Sequence, residues 1–393
     1  MKILIVPMFA LSRMGGPWSR AQRIASAFIA SGHDVAIGIA ADGNCGNPVV
    51  PDVLELPVPS PLGLPMAISS RTFPLASKLG IAGRKPVRSF EEVLWLTGAL
   101  AYDYEADSVG AIRRFIRSER PDVVYSEFSL PAVIAAQAEG VPCVGTVSYP
   151  TQPSYASDPA KAKGVRRLLA EFGLAPVTSS LELFERLERR FVPSCAKLEP
   201  IEGDGVVFCG FLSCPTERTE TTRDCIVVYM GTGSVPKSTL KSAAKVLAEG
   251  TDLSVYVAGM DGPPCDEGNL HFAKSFDFCE LLPRARVFVN HGGQNSVMDA
   301  LTYGVPQVIC PGNVFERRFN AQSIASAGAA IQLDNFTETA LRAAVTNATE
   351  SDSIAMEAIT LRDSLLALGG VSAIVAETEG MLARRKALAA STL

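Results

Sequence analysis

Histidine is nearly missing from this chain: 393 residues contain three, His33, His271 and His291. Nine cysteines are present, Cys45, Cys143, Cys195, Cys209, Cys214, Cys225, Cys265, Cys279 and Cys310, and no two stand at C-x-x-C spacing. So few imidazoles and no paired thiols exclude the common zinc frameworks and a redox dithiol, so no metal and no cofactor are expected. An odd, unpatterned set of cysteines reads as reduced thiols and hence as a cytoplasmic chain. Charge of one sign is lacking too: 36 Lys and Arg against 41 Asp and Glu leave a net charge of −5, which gives no footprint for nucleic acid. No run of about eighteen apolar residues occurs, so no transmembrane segment is expected. The apolar start, residues 3–6, is short and is followed by Arg13, Arg20 and Arg23. That pattern is a buried first strand rather than a secretion signal, which would end in small residues.

Apolar residues make up 47% of the chain and charged residues 20%. Those proportions exclude wholesale disorder, and the length suits two domains better than one. A short apolar run at 3–6, a Gly- and Pro-rich loop, a helical pattern over 19–31 and a second apolar run at 35–39 predict a parallel βαβ unit buried on both faces. The alternation returns with a helix at 113–119, a strand at 123–126, a helix at 130–139 and a strand at 144–147. Residues 1–205 are therefore expected to form one Rossmann-like, doubly wound domain. Within it, 57–90 breaks the rhythm with six prolines and the cations Arg71, Lys78, Arg84, Lys85 and Arg88. Such an insertion is either a loop beside a ligand cleft or a solvated surface excursion.

Residues 206–222 are predicted as a linker, and 223–370 as a second domain of the same kind. Its strands are expected at 225–230, 253–258, 287–290 and 307–310, with helices at 241–247 and 296–303. A final helical stretch over 371–393 is expected to pack back on the first domain. Two doubly wound halves facing across a cleft would bind ligands at the carboxyl ends of their strands.

The residues that carry chemistry cluster in the second half. His291-Gly292-Gly293-Gln294-Asn295-Ser296 follows a strand and opens a helix. Two glycines allow close backbone approach, and the helix N-terminus supplies N–H groups and partial positive charge to an oxyanion. The plainer reading of the same residues is a strand-to-helix turn with Ser296 as N-cap. Gly231-Thr232-Gly233-Ser234 ends an earlier strand and is weak evidence alone. Glu316-Arg317 follows the next strand, where a carboxylate could accept from sugar hydroxyls or simply favour a helix dipole.

Taken together, the run from His291 to Pro306, then Pro311 and 316–321, resembles the donor signature of the family-1 GT-B glycosyltransferases, bacterial macrolide and antibiotic glycosyltransferases and UDP-glucosyltransferases among them. The resemblance implies a nucleotide-diphosphate sugar donor (UDP- or TDP-linked), a small-molecule acceptor and an inverting hexosyl transfer. It implies that His291, Gly293, Asn295 and Ser296, with Thr232, Gly233 and Ser234, hold the diphosphate. Asp299 would take the ribose, Phe276 and Phe278 would border the base, and Glu316 would bind sugar hydroxyls. Arg317 stands where the family has Gln; it would either read a carboxylate on the sugar or point into solvent.

The first half departs from that family. Its general-base histidine falls on Pro17, within Gly15-Gly16-Pro17-Trp18-Ser19-Arg20, and no histidine precedes His33. Glu127, at the end of a strand, is the candidate base, since a carboxylate in an apolar cleft can gain proton affinity; alternatively it is an ordinary strand-end acid. Trp18, Ser19 and Arg20 are candidates for the acceptor side; Ser19 and Arg20 could instead cap the first helix. Two other functions fit the same layout: a nucleotide-sugar epimerase, and a non-catalytic nucleotide-sugar-binding partner or activator. Nothing in the sequence fixes the oligomeric state, and a homodimer is compatible with it.

Overall fold

The computed structural model describes residues 1–11, 15–43, 45–64, 68–69, 87–213, 222–231 and 235–391. The chain divides into two compact units. One comprises Met1–Lys78, Arg88–Leu212 and Leu368–Leu393, the other Leu79–Val87 and Ser213–Ala367.

The first unit is built on seven parallel strands: β1 (Lys2–Pro7), β2 (Asp34–Ala40), β3 (Val53–Leu56), β4 (Val123–Glu127), β5 (Cys143–Thr146), β6 (Arg189–Val192) and β7 (Val206–Phe208). Their order is β3-β2-β1-β4-β5-β6-β7, so the winding reverses between β1 and β4. Side chains of β1 alternate between two cores: Leu4 and Val6 join one apolar cluster, Ile3 and Ile5 the other. Burial on both faces explains the unbroken apolar runs that mark these strands in the sequence. The helix Gly15–Ala30 buries Trp18, Ala21, Ile24, Ala25 and Phe28, one stripe at helical spacing.

The second unit repeats the scheme with β8 (Cys225–Tyr229), β9 (Ser254–Ala258), β10 (Cys265–Glu267), β11 (Leu270–Ala273), β12 (Ala285–Asn290), β13 (Gln307–Ile309) and β14 (Ala330–Gln332). The order is β10-β11-β9-β8-β12-β13-β14, parallel except where β10 meets β11. Here the winding reverses between β8 and β12, whose last residues Tyr229 and Asn290 are register partners.

Several boundaries differ from the sequence reading. Residues 206–208 pair with β6 as a strand of the first sheet, so the first unit runs to Leu212 and the expected linker begins too early. The second unit ends at Ala367 rather than at 370. The helix read at 113–119 extends back to Tyr102, and the helices Phe90–Thr97, Glu338–Glu350 and Asp352–Leu366 went unread. The edge strand β10, Cys-Asp-Glu and fully exposed, carries no apolar signal at all.

The C-terminal helix Gly370–Ser391 belongs to the first unit. Ile374, Val375, Met381 and Leu382 enter the core that holds Ile3 and Ile5, and the Gly370 N–H donates to the Cys209 carbonyl at 2.7 Å. His33, just past the end of the first helix, packs on Phe28 and places Nε2 2.8 Å from Glu379 on this helix. Residues Asp352–Ser391 together are long and apolar enough to cross a membrane. Two helices share that stretch, however, with left-handed Gly369 and Gly370 between them, and each buries its apolar stripe in protein.

Candidate functional site

Open α/β sheets collect ligands at the carboxyl edge where the winding reverses. In the second unit that edge is the end of β12, and its terminal Asn290 is fully buried. Asn290 Nδ2 donates to Gln307 Oε1 at 2.8 Å, and its Oδ1 accepts the Gly292 N–H at 2.8 Å. Gln307 Nε2 continues to the Val297 carbonyl at 3.1 Å, and Asn320 Nδ2 donates to the Gly292 carbonyl at 2.8 Å. Three buried amides thus hold the His291–Gly293 turn from both sides. Asn290 as a support of this turn went unread, although a polar residue ending the apolar run 287–290 was the signal.

Glycine is required at this turn for steric reasons. Gly292 has φ +78°, and a Cβ there would lie 2.8 Å from the Arg317 carbonyl oxygen. A Cβ at Gly293 would lie 2.7 Å from His291 Nε2, and one at Gly231, also left-handed, 3.2 Å from the same ring. The imidazole therefore occupies the space that side chains at 231 and 293 would need. Gly293, not Ser296, is the N-cap of the helix Gln294–Thr302, so Ser296 lies inside the first turn with Asn295. With glycine as cap, no side chain from the cap residue covers this helix end.

His291 meets Tyr229 edge-on at 5.6 Å, and its Nδ1 has no hydrogen-bond partner among the described residues. Burial, and secondly the Arg317 charge, push its pKa down to about 4, against a hydrogen bond with the Tyr229 backbone. The ring is neutral at physiological pH. Glu316 and Arg317 are both half-buried in the first turn of the helix Phe315–Ser326. Burial lowers the Arg317 pKa, while Glu316 and Tyr229 raise it, so this guanidinium does not project away into solvent. Asp299 is half-buried one turn beyond Asn295 on the same helix face. Phe276 stands edge-on to Tyr256 at 5.4 Å, and Phe278 contacts Tyr229 and Phe288. Both rings are partly buried against the core. Thr232, Gly233 and Ser234 lie outside the described residues.

In the first unit, Glu127 ends β4 at the corresponding reversal, opposite Pro7 of β1. It is fully buried, and Arg20 Nε donates to its Oε1 at 2.6 Å. Among the described residues its Oε2 has no hydrogen-bond partner. Burial raises the Glu127 pKa, opposed by the Arg20 charge and the nearby Thr146 hydroxyl. The Arg20 guanidinium also stacks on the Phe128 ring, 5.1 Å from its centroid, and Phe128 is left-handed at φ +59°. A strained non-glycine residue beside a buried ion pair is the kind of feature that gathers at functional sites. Trp18, read as an acceptor-side candidate, is instead core: its ring packs with Ile24 and Phe28 under the sheet. Ser19 is half-buried on the same helix, and Pro17 sits in its first turn, where a missing N–H is harmless. A depression of about 450 Å³ lined by Gln137, Cys143, Arg186, Glu188 and Arg385 opens at the amino end of β5, the edge opposite Glu127.

Two family profiles match the chain: the "Glycosyl transferase 4-like domain" over residues 15–196 and the "Erythromycin biosynthesis protein CIII-like, C-terminal domain" over 267–381. The NDP-glycosyltransferase YjiC of Bacillus subtilis (strain 168) is 27% identical over 116 residues, 29% of this chain and 29% of that relative's length. The structure of CalG4, the calicheamicin glycosyltransferase, superposes with a TM-score of 0.71 over 98% of both chains at 16% identity. The spinosyn rhamnosyltransferase SpnG complexed with thymidine diphosphate superposes with 0.67 over 96% of this chain and 100% of that one, at 17% identity. In winding, in turn chemistry and in these likenesses, the chain has the GT-B fold, with each half matching a glycosyltransferase profile, and it resembles the macrolide and antibiotic glycosyltransferases.

Proposed function

We propose that the protein transfers a sugar from a nucleotide-diphosphate donor, UDP- or TDP-linked, to a small-molecule acceptor with inversion at the anomeric carbon. The observation that carries this is the turn after β12, where glycines at 292 and 293, a helix end capped by glycine and a His291 Nδ1 without a partner among the described residues converge. Such a corner suits a diphosphate, because N–H dipoles and the helix field act on its charge without reorganisation. Asn295 and Ser296, with Thr232, Gly233 and Ser234, would complete the phosphate contacts. Asp299 would accept from the ribose, the 276–278 loop would border the base, and Glu316 would accept from sugar hydroxyls. In the transfer, the acceptor oxygen attacks the anomeric carbon and the electron pair of the broken bond leaves on the β-phosphate. Holding both reactants in line supplies much of the acceleration.

Glu127 takes a different part from that of a free base. Its carboxylate is enclosed and held by Arg20, so its role here is to fix Arg20 and the β4 end at the acceptor-side edge. The test is incubation with a panel of nucleotide sugars, following nucleotide release with and without pooled natural-product acceptors. Acceptor-dependent release supports transfer. Interconversion of the donor would replace it with epimerisation, and tight binding with neither outcome would make the chain a non-catalytic binder.

A further inference from the structure

Arg317 occupies the position next to Glu316 that the donor signature gives to a sugar-contacting glutamine, yet its surroundings belong to the phosphate turn. The Cβ that Gly292 lacks would meet the Arg317 carbonyl oxygen at 2.8 Å and Arg317 Cβ at 3.3 Å. The start of the helix Phe315–Ser326 is therefore seated directly on the turn. Asn320, one turn further along, fixes that seating through its bond to the Gly292 carbonyl. The Arg317 side chain is half-buried, and its charge acts on His291 and on the Tyr229 phenol, which stand edge-to-face at the ends of β12 and β8. A cation, an unpartnered imidazole nitrogen and a helix N-terminus thus share one corner.

We infer that Arg317 binds the β-phosphate of the donor beside His291, so that in this chain the residue after Glu316 serves the leaving group rather than the sugar hydroxyls. The inference rests on the sugar-donor reading above. A planar guanidinium fork matches two non-bridging phosphate oxygens as a glutamine amide cannot. Cleavage of the bond from the anomeric carbon to the β-phosphate oxygen leaves the electron pair on that oxygen. The extra negative charge then develops on the group that Arg317 touches, while the acceptor oxygen makes the new bond and releases its proton to water.

The test is calorimetric titration of wild type, Arg317→Gln and Arg317→Lys with the diphosphates and monophosphates of thymidine and uridine. Circular dichroism and a thermal melt of each variant serve as the folding control. For the nucleotide the wild type prefers, Arg317→Gln is expected to weaken diphosphate binding about tenfold to a hundredfold, the range of a charge-assisted hydrogen bond. Monophosphate binding should change by less than about threefold, and Arg317→Lys should fall between. Equal losses for both nucleotides, or none for either, in a folded variant would overturn the inference while leaving the donor reading in place. A wild type that binds neither diphosphate would overturn the donor reading itself.

Discussion

Replacing Gly293 by alanine isolates the steric relation on which the phosphate corner depends. Gly293 has φ −65° and ψ 139°, a conformation that alanine adopts without strain. Apart from the poorer N-cap that alanine makes, the penalty comes from contact with His291. The new Cβ would stand 2.7 Å from Nε2 and 3.2 Å from Cε1, where ordinary contacts begin at 3.4 Å, so the ring must give way by about 0.7 Å. It cannot retreat freely, because Tyr229 stands perpendicular to it at 5.6 Å and Gly231 approaches the same ring closely. Overpacking of this kind costs about 1–3 kcal/mol in stability. Displacing the imidazole and the adjacent N–H from a diphosphate should cost about 1.5–3 kcal/mol in affinity, roughly tenfold to 150-fold. The decisive comparison is a double-mutant cycle. With His291→Ala already in place the obstruction is gone, and adding Gly293→Ala should then change thymidine diphosphate affinity by less than about 0.5 kcal/mol. Calorimetric titration of the four proteins reads this directly. Wild-type affinity in Gly293→Ala, or strictly additive losses, would refute the idea that His291 fills the space over Gly293 in the binding-competent state.

Other outcomes follow from the same geometry. Glu316→Ala should abolish transfer yet leave free nucleotide diphosphate binding within about threefold, under ~1 kcal/mol; a parallel loss of nucleotide affinity would remove Glu316 from the sugar site. Asn290→Ala strips partners from the Gly292 N–H and the Gln307 side chain, and each orphaned group should cost about 1–3 kcal/mol in urea unfolding. Arg20→Ala leaves the enclosed Glu127 unpaired and should destabilise by about 3–5 kcal/mol near neutral pH, with much of that recovered when Glu127→Gln is added; a melt showing no recovery would count against the ion pair as the cause. His291 has a folded pKa of about 4, below its ordinary 6.5. The unfolded chain thus takes up this proton first, and the stability associated with the neutral ring is complete above pH 6.5 and lost as pH falls towards 4. The loss should reach about 3 kcal/mol, and unfolding midpoints of His291→Gln should depend less on pH across that window.

Much of the donor half was legible because its chemistry is local. His291 to Ser296 lie within one strand-to-helix turn, and a short apolar run followed by two glycines announces that turn without any partner being known. Two of the supporting amides were not legible, since Gln307 lies 17 residues from Asn290 and Asn320 lies 28 from Gly292, and only the fold brings them to the turn. Trp18 shows the opposite failure. It was read for its proximity to a glycine-rich loop, whereas its spacing to Ala21, Ala25 and Phe28 already marked the buried stripe of a helix. Glu127 was rightly placed at a strand end, but its partner Arg20 lies 107 residues earlier. A one-dimensional reading supplies the carboxylate and not the cation that encloses it. Short strands such as β6, Arg-Arg-Phe-Val, went unread because four residues cannot display a period.

The measurement that bears most directly on the central claim is a crystal structure with thymidine diphosphate bound. The expected result is a diphosphate at the turn, its oxygens within about 3 Å of backbone N–H groups from Gly293 to Ser296 and of the His291 ring. Phosphates bound elsewhere on the chain, with that turn closed by the protein's own side chains, would contradict it.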